Sequence, residues 1–283
     1  MEKNISAFIG FDSDYDEAEL VLMGIPYDGT VSFRPGTRFA PSEIRNHSHG
    51  LEIYSPYFDK ELTDYNLFDA GDLELPFGNT RRVMEIIKEN AKKILGDNKI
   101  LFSAGGEHLV TYPLVQAYFE KYGEDLHIIH FDAHTDLRED YMGEKLSHAS
   151  VIKRIYDIVG RDKIYQFCVR SGEKEEFHYK DKGIFQEKFT FTKLPEVLEK
   201  LEGKPVYVTI DLDVLDPSVF PGTGTPEAGG INFNEMLNLI KLLKNAKIVG
   251  ADVVELSPHY DQSGVSTSVA CKIIRELTFA ILQ

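Results

Sequence analysis

The chain is short of basic residues and of long apolar runs, and each shortage argues against a class of protein. Its 31 Lys and Arg residues stand against 46 Asp and Glu residues, which gives a formal net charge of -15. Such a negative protein is a poor partner for nucleic acid or for an anionic membrane surface, but suits a small cationic substrate. No apolar run approaches the length of a transmembrane helix, so we expect no membrane partner.

Cysteine is also scarce, with only Cys168 and Cys271 in the whole chain. Both lie in apolar segments, where a cysteine is usually a small core side chain rather than half of a disulfide or a reactive thiol. Residues 1–4 lack the charged and then apolar pattern of a signal peptide. We therefore expect a soluble protein of the cytoplasm.

The glycine-rich segments lack the spacing that nucleotide binding requires. Residues 221–226 read Pro-Gly-Thr-Gly-Thr-Pro, without the Gly-Lys-Ser/Thr ending of a P-loop. No Gly-x-Gly-x-x-Gly follows the first predicted strand either. Because no internal repeat, low-complexity tract or long linker interrupts the chain, we expect one domain over residues 1–283.

Apolar segments typical of strands alternate with segments of helical periodicity. Strands are predicted at 19–25, 99–104, 126–130, 163–169, 206–210 and 247–254. Helices are predicted between them, one after an N-cap at Thr80 and another after a capping box formed by Asn232 and Glu235. This alternation predicts an α/β protein with three layers, in which helices cover both faces of a mostly parallel central sheet.

Three potential metal ligands follow the strand predicted at 126–130. They are Asp132, His134 and Asp136, each two residues from the next. If the backbone stays extended past Phe131, all three side chains project to the same face. One imidazole and two carboxylates on one face, at the end of a strand, form half of a metal site.

A second pair of carboxylates, Asp211 and Asp213, follows the strand predicted at 206–210, and His108 follows a third strand. A lone Asp-x-Asp is more often a cap or a turn than a ligand pair. However, the carboxyl ends of parallel strands meet at one edge of a sheet, where ligands of open α/β sheets bind. The combination therefore indicates a metal site.

The complete candidate set has four carboxylates, two imidazoles and no thiolate. Its members are His108, Asp132, His134, Asp136, Asp211 and Asp213. Oxygen donors with some imidazole suit manganese, whereas structural zinc usually prefers cysteine and histidine. Six ligands exceed the needs of one ion, so we expect two Mn²⁺ per chain, about 3.5–4 Å apart and bridged by carboxylates and a water. A water so placed loses a proton readily, which predicts hydrolysis by a metal-bridging hydroxide.

Three segments resemble the signatures of the ureohydrolase family, which includes arginase and agmatinase. They are Gly-Gly-Glu-His at 105–108, Asp-Ala-His-Thr-Asp at 132–136 and Asp-Leu-Asp-Val-Leu-Asp-Pro at 211–217. Further resemblance at 34–36, 147–148, 222–227 and 251–255 extends over most of the chain. The resemblance implies an arginase-like fold and a homo-oligomer, either a trimer or a hexamer.

The resemblance also implies a role for each candidate residue. One manganese would be held by His108, Asp132, Asp136 and Asp211, and the other by Asp132, His134, Asp211 and Asp213. Glu255 matches the carboxylate that binds the substrate guanidinium, and His148 matches a histidine proposed to shuttle protons. The family commonly has Gly after this histidine, whereas Ala149 stands here.

The segment after Asp136 bears on which guanidine is the substrate. Arginases share an Asn two residues after this aspartate, where this chain has Arg138. Residues 136–148 resemble bacterial agmatinases, which implies hydrolysis of agmatine to putrescine and urea. Guanidinobutyrase remains an alternative, because Arg138 offers a positive charge to a substrate carboxylate, and another guanidine ureohydrolase is a further one. We expect it instead to form a surface ion pair with an acid nearby in the sequence, namely Glu139, Asp140 or Glu144.

Two interpretations from other classes fit less well. Zinc deacetylases resemble arginase in fold and share an Asp-x-His plus Asp site, but His108 and the doubled carboxylates speak against a single zinc. A non-catalytic relative usually lacks a metal ligand, and none is missing here. The charged stretch 173–182 is expected to be a solvated helix or loop outside the site. The role of the loop 27–38 does not follow from the sequence.

Overall fold

An eight-stranded sheet forms the centre of the protein. The computed structural model describes Met1 and residues 6–283, apart from the side chain of Lys180; residues 2–5 of the predicted domain lie outside the described part. The strands are β1 (Leu20–Gly24), β2 (Tyr54–Ser55), β3 (Lys60–Glu61), β4 (Leu67–Asp72), β5 (Ile100–Ala104), β6 (His127–Phe131), β7 (Ile164–Val169), β8 (Ile184–Lys188), β9 (Pro205–Asp211) and β10 (Lys247–Val254). The sheet order is β4-β1-β5-β10-β9-β6-β7-β8, and every neighbouring pair runs parallel. β2 and β3 form a separate antiparallel pair.

Helices cover both faces of this sheet. They are α1 (Ala40–Ser48), α2 (Thr80–Gly96), α3 (Thr111–Tyr122), α4 (Val151–Val159), α5 (Leu194–Lys200), α6 (Phe233–Leu243) and α7 (Val265–Ile281). Alternate residues of β1 serve two separate cores: Leu20 and Leu22 pack with α1, α5, α6 and α7, while Val21 and Met23 pack with α2, α3 and α4. The predicted three-layer α/β/α fold is therefore confirmed.

Several local predictions are confirmed and others are wrong by small amounts. The capping box of Asn232 and Glu235 is present at the start of α6. The N-cap of α2 is Asn79 rather than Thr80, because the Asn79 side chain accepts a hydrogen bond from the backbone N–H of Arg82. Both cysteines are free and buried, as expected. Among the described residues, no helix has the length and apolar character needed to cross a bilayer.

Four strands that are far apart in the sequence lie side by side in the middle of the sheet. Their order is β5, β10, β9 and β6, and all four run in the same direction. Their carboxyl ends therefore deliver His108, Glu255, Asp211 and Asp132 to one edge of the sheet. This is the position where open parallel sheets bind their ligands.

Candidate metal centre and substrate cavity

The His108 imidazole lies at the centre of the first group of predicted ligands. Its Nδ1 is 3.1 Å from Asp132 Oδ2, 3.2 Å from Asp136 Oδ2 and 3.3 Å from Asp211 Oδ2. These residues come from the ends of β5, β6 and β9. The structure thus brings together the four residues that the resemblance assigns to one metal ion.

The second group is centred on His134. Its Nδ1 lies 2.9 Å from Asp213 Oδ2 and 3.5 Å from Asp132 Oδ1. Asp132 therefore offers one carboxylate oxygen to each group. Asp211 adjoins this group through its Oδ1, which accepts a hydrogen bond from the backbone N–H of Asp213 at 2.9 Å. All six predicted ligands thus lie in one cluster, with a shared aspartate in the middle.

The residues converge by tight turns and not by the continued extension considered above. β6 ends at Phe131, after which Asp132 Oδ1 accepts a hydrogen bond from the backbone N–H of His134 at 2.5 Å. Asp136 then has a backbone φ of 52°, in the left-handed region that residues with a Cβ rarely adopt. Glu255 does the same after β10, with a φ of 67°. Such strained residues concentrate at functional sites.

The donor set fits a divalent cation. His108 Nδ1 is fully buried among three carboxylates and has no hydrogen-bond partner among the described residues, so it presents an unused lone pair. On the other side of the ring, Nε2 lies 3.0 Å from Thr209 Oγ1, and this hydroxyl donates to Asp252 Oδ1 at 2.6 Å. Because the hydroxyl proton is given to Asp252, Thr209 accepts the proton of His108 Nε2, which leaves Nδ1 free to bind a metal.

Two carboxylates of the cluster are unfavourable in their ionised form unless a cation lies beside them. Burial and the nearby Asp132 raise the pKa of Asp136 to about 6. Burial and the adjacent Asp213 raise the pKa of Asp211 well above its usual range. Neighbouring buried carboxylates are unfavourable in their ionised form unless a positive charge compensates for them. Carboxylates with some imidazole are the donors that Mn²⁺ prefers.

A cavity of about 300 Å³ opens directly onto the cluster. Glu255 lines it and is held in place by the backbone N–H of His108, which donates to Glu255 Oε1 at 2.6 Å. Burial and the neighbouring Glu107 raise the pKa of Glu255 well above its usual range, so the carboxyl is ionised only when a cation beside it compensates for its charge. A guanidinium can supply that cation through charge-assisted hydrogen bonds.

His148 lines the same cavity at the start of the 3-10 turn that precedes α4. Its backbone N–H donates to Thr30 Oγ1 at 3.0 Å, and that hydroxyl donates to the buried Glu107 at 2.5 Å. This contact gives the loop 27–38, which the sequence left without a role, a function in holding His148. Burial lowers the pKa of His148 to about 4, so the imidazole is neutral near pH 7.

Arg138 lies at the cavity wall and not in the ion pair that the sequence suggested. Its guanidinium is 3.3 Å from Glu173 Oε1 and 4.8 Å from the centre of the Tyr141 ring. The expected bridges to the acids at 139, 140 and 144 are therefore wrong. The turn after Asp136 directs Arg138 towards the loop that follows β7, which sequence proximity cannot reveal.

The charged stretch 173–182 is largely helical, as expected, but two of its acids lie at the cavity and not outside the site. Glu173 and Glu176 both line the cavity, and residues 174–182 form a 3-10 helix. Glu176 Oε2 accepts hydrogen bonds from Thr135 Oγ1 at 2.8 Å and from the backbone N–H of Glu173 at 2.7 Å. Glu176 Oε1 is buried without a partner. The cavity wall therefore includes a carboxylate with one unused oxygen, in addition to the cluster of predicted metal ligands.

Comparison with known proteins agrees with this geometry. The family model described as the arginase family matches residues 18–280. The agmatinase of Bacillus subtilis is 49% identical over 280 residues, which cover 98% of this chain and 96% of that protein. The agmatinase of Bacillus anthracis is 51% identical over 274 residues, or 95% of this chain and 94% of that protein. A crystal structure of a protein from Clostridium difficile, proposed to be an agmatinase, superposes with a TM-score of 0.93 at 53% identity and covers 95% of this chain and 98% of that one. The chain belongs to the arginase family.

Proposed function

We propose that this protein hydrolyses agmatine to putrescine and urea with two manganese ions bound in the cluster. The observation that carries the proposal is the cavity, which joins three of the six predicted ligands to three further carboxylates, those of Glu173, Glu176 and Glu255. Agmatine is arginine without its carboxylate, so it is positively charged at both ends. A cavity lined by acids on several sides suits such a dication.

Each protein group has a distinct task in this reaction. Bound divalent ions would supply a water whose pKa is lowered towards neutrality and would polarise the group under attack. Glu255 orients the guanidinium by accepting its N–H groups, which fixes the central carbon beside the cluster. A C–O bond then forms and the C–N bond to the alkyl chain breaks, so the departing nitrogen must gain a proton.

His148 is suited to relay that proton. Its ring is neutral near pH 7 because burial lowers its pKa to about 4, so it takes up a proton before passing one on. Its Nε2 lies 3.4 Å from Ser32 Oγ and its Nδ1 lies 3.4 Å from Ser147 Oγ. Both ring nitrogens thus have hydroxyl neighbours through which a proton can move.

The Arg138–Glu173 pair favours agmatine over 4-guanidinobutyrate. A substrate carboxylate would need the Arg138 charge, but Glu173 already compensates for it at 3.3 Å. The ammonium of agmatine needs an acid, and Glu176 Oε1 is a buried acceptor without a partner. The net charge of the cavity wall is therefore negative, which disfavours a substrate that carries a carboxylate.

The direct test is urea release by the manganese-loaded protein with agmatine, arginine and 4-guanidinobutyrate run side by side. We expect turnover of agmatine and little or none of the other two. A preference for 4-guanidinobutyrate would contradict the proposal and assign Arg138 to the substrate carboxylate. Absence of turnover with all three compounds, in protein that contains two metal ions per chain, would refute the assignment of substrate.

Replacing Glu173 with glutamine tests the selectivity argument. The change frees the Arg138 charge while keeping the size of the side chain, so kcat/KM should fall for agmatine and rise for 4-guanidinobutyrate. An exposed ion pair contributes at most about 1 kcal/mol, so each change should be no more than about fivefold. The matched control is Glu175→Gln, an exposed acid in the same segment that does not line the cavity. Equal effects of the two variants would contradict the role given to Glu173.

The remaining parts of the proposal concern the whole molecule. We propose one ureohydrolase domain, located in the cytoplasm, that assembles as a homotrimer or hexamer. The family match over residues 18–280 supports the single domain, and the resemblance to ureohydrolases supports the assembly. Light scattering of the purified protein measures the assembly directly, and a monomer at micromolar concentration would contradict it.

A further inference from the structure

A row of polar side chains crosses the middle of the sheet directly beneath the metal cluster. Neighbouring strands pair Gln186 with Gln166, Gln166 with His130, His130 with Thr209, and Thr209 with Asp252. The strands β6, β7, β9 and β10 are otherwise mostly apolar and buried. Buried polar side chains are costly unless they are hydrogen-bonded, so a continuous row of them calls for an explanation.

Thr209 and Asp252 in this row are already explained, because Thr209 accepts the proton of His108 Nε2 and donates its own proton to Asp252. The rest of the row ends at Asp132, the aspartate shared by both groups of predicted ligands. His130 is fully buried, and its Nε2 lies 2.8 Å from Asp132 Oδ2. We propose that His130 is a positioning residue that donates from Nε2 to Asp132 and thereby fixes this carboxylate for metal binding.

The hydrogen bonds of Gln166 assign the proton on His130. The Gln166 side-chain amide lies 2.7 Å from the carbonyl oxygen of Thr135, which can only accept, so the nearer atom is the amide nitrogen Nε2. The same Nε2 lies 2.9 Å from His130 Nδ1, which must therefore accept as well. An imidazole that accepts at Nδ1 carries its one proton on Nε2, the atom that faces Asp132.

Gln166 is itself held in this orientation from β8. Its Oε1 accepts a hydrogen bond from Gln186 Nε2 at 2.8 Å, and that nitrogen also donates to the carbonyl oxygen of Glu176 at 3.1 Å. Rotating the Gln166 amide by 180° would place its Oε1 against the Thr135 carbonyl oxygen. Rotating the Gln186 amide would place its Oε1 against Gln166 Oε1 and the Glu176 carbonyl oxygen. The chain of donors therefore runs in one direction, from Gln186 to Gln166 to His130 to Asp132.

The same protonation argues against His130 as a ligand in its own right. Nε2 carries a proton and Nδ1 is occupied by Gln166, so neither nitrogen of His130 has a free lone pair. His108 differs, because its Nδ1 is buried without a partner. A hydrogen-bonded second layer of this kind typically changes metal affinity by about 10–100-fold when it is removed.

Three substitutions of His130 separate this role from simple packing. His130→Gln places an amide N–H near the position of Nε2, His130→Asn places one near Nδ1, and His130→Phe has neither. Manganese affinity would be measured by competition with a graded chelator, with bound metal counted by mass spectrometry and the metal-free fold followed by circular dichroism. The control is His127→Phe, another buried histidine of β6, which bonds to the Asp125 carbonyl and not to a predicted ligand.

We expect His130→Phe and His130→Asn to lose about 10–100-fold in manganese affinity, and His130→Gln and the control to stay within a few-fold of the wild type. Affinity of His130→Asn equal to that of the wild type, or no advantage of His130→Gln over His130→Asn, would overturn the proposal. If His130→Phe does not fold, the comparison of His130→Gln with His130→Asn provides the same test, because the two amides differ in whether an N–H lies near the position of Nε2. The inference rests on the proposed metal binding, and failure of the wild type to bind manganese would refute that function instead.

Discussion

Urea release by an Asp132→Asn variant is expected to fall by more than about a thousandfold, since the several kcal/mol that bound metal ions supply would be lost. The two oxygens of Asp132 lie in different groups of predicted ligands, Oδ2 at 3.1 Å from His108 Nδ1 and Oδ1 at 3.5 Å from His134 Nδ1. Asparagine keeps the shape but removes the charge and one of the two acceptor oxygens. The affinity for manganese should therefore fall at both metal positions.

Metal content distinguishes this result from simple misfolding. We expect the Asp132→Asn variant to retain its secondary structure in the metal-free state while losing bound manganese on dialysis. Asp125→Asn is a suitable control, because this exposed aspartate precedes the same strand and pairs with Lys204 at the surface. A variant with full activity, or one that is inactive with both ions in place, would show that Asp132 does not bridge the metals.

The His148→Asn variant is expected to bind metal normally and to turn over agmatine about 10²–10⁴ times more slowly, which is the usual contribution of a positioned acid or base. His148 lines the cavity, yet no carboxylate of the cluster is hydrogen-bonded to its ring. Its loss should therefore lower kcat while leaving the manganese content of the protein unchanged.

Comparison with His178→Asn controls for the loss of a histidine as such, because His178 lies exposed on the 3-10 helix 174–182. Steady-state kinetics and metal analysis of the same preparations are sufficient. Loss of metal from the His148 variant in proportion to its loss of rate would refute the proton relay and make His148 part of the metal centre.

The sequence was sufficient to predict that the candidate metal ligands converge, but not the detailed geometry of their cluster. Asp132 and Asp211 follow apolar strands, and parallel strands bring such residues to one edge of a sheet. The turn that places Asp136 beside His108 depends on a left-handed backbone, which no pattern of residue types in that segment indicates. Tertiary contacts stabilise this conformation against its local preference.

The residues that sequence reasoning missed depend on the register between distant strands. His130 and Gln166 are 36 positions apart, and only the pairing of β6 with β7 makes them neighbours. A weak signal was available, since each is a polar residue inside an apolar strand, as are Thr209 and Asp252. Glu176 gave no such signal, because it lies in a charged segment that resembles a solvated surface.

The order of strands in the sheet has a consequence for synthesis on the ribosome. β10 is the last strand in the sequence, yet it lies in the middle of the sheet between β5 and β9. Until residues 247–254 emerge, a nascent chain has two half-sheets, β4-β1-β5 and β9-β6-β7-β8, each with an unpaired inner edge. Open edges of this kind invite aggregation, so we expect the nascent chain to be most prone to aggregate before its final strand is available.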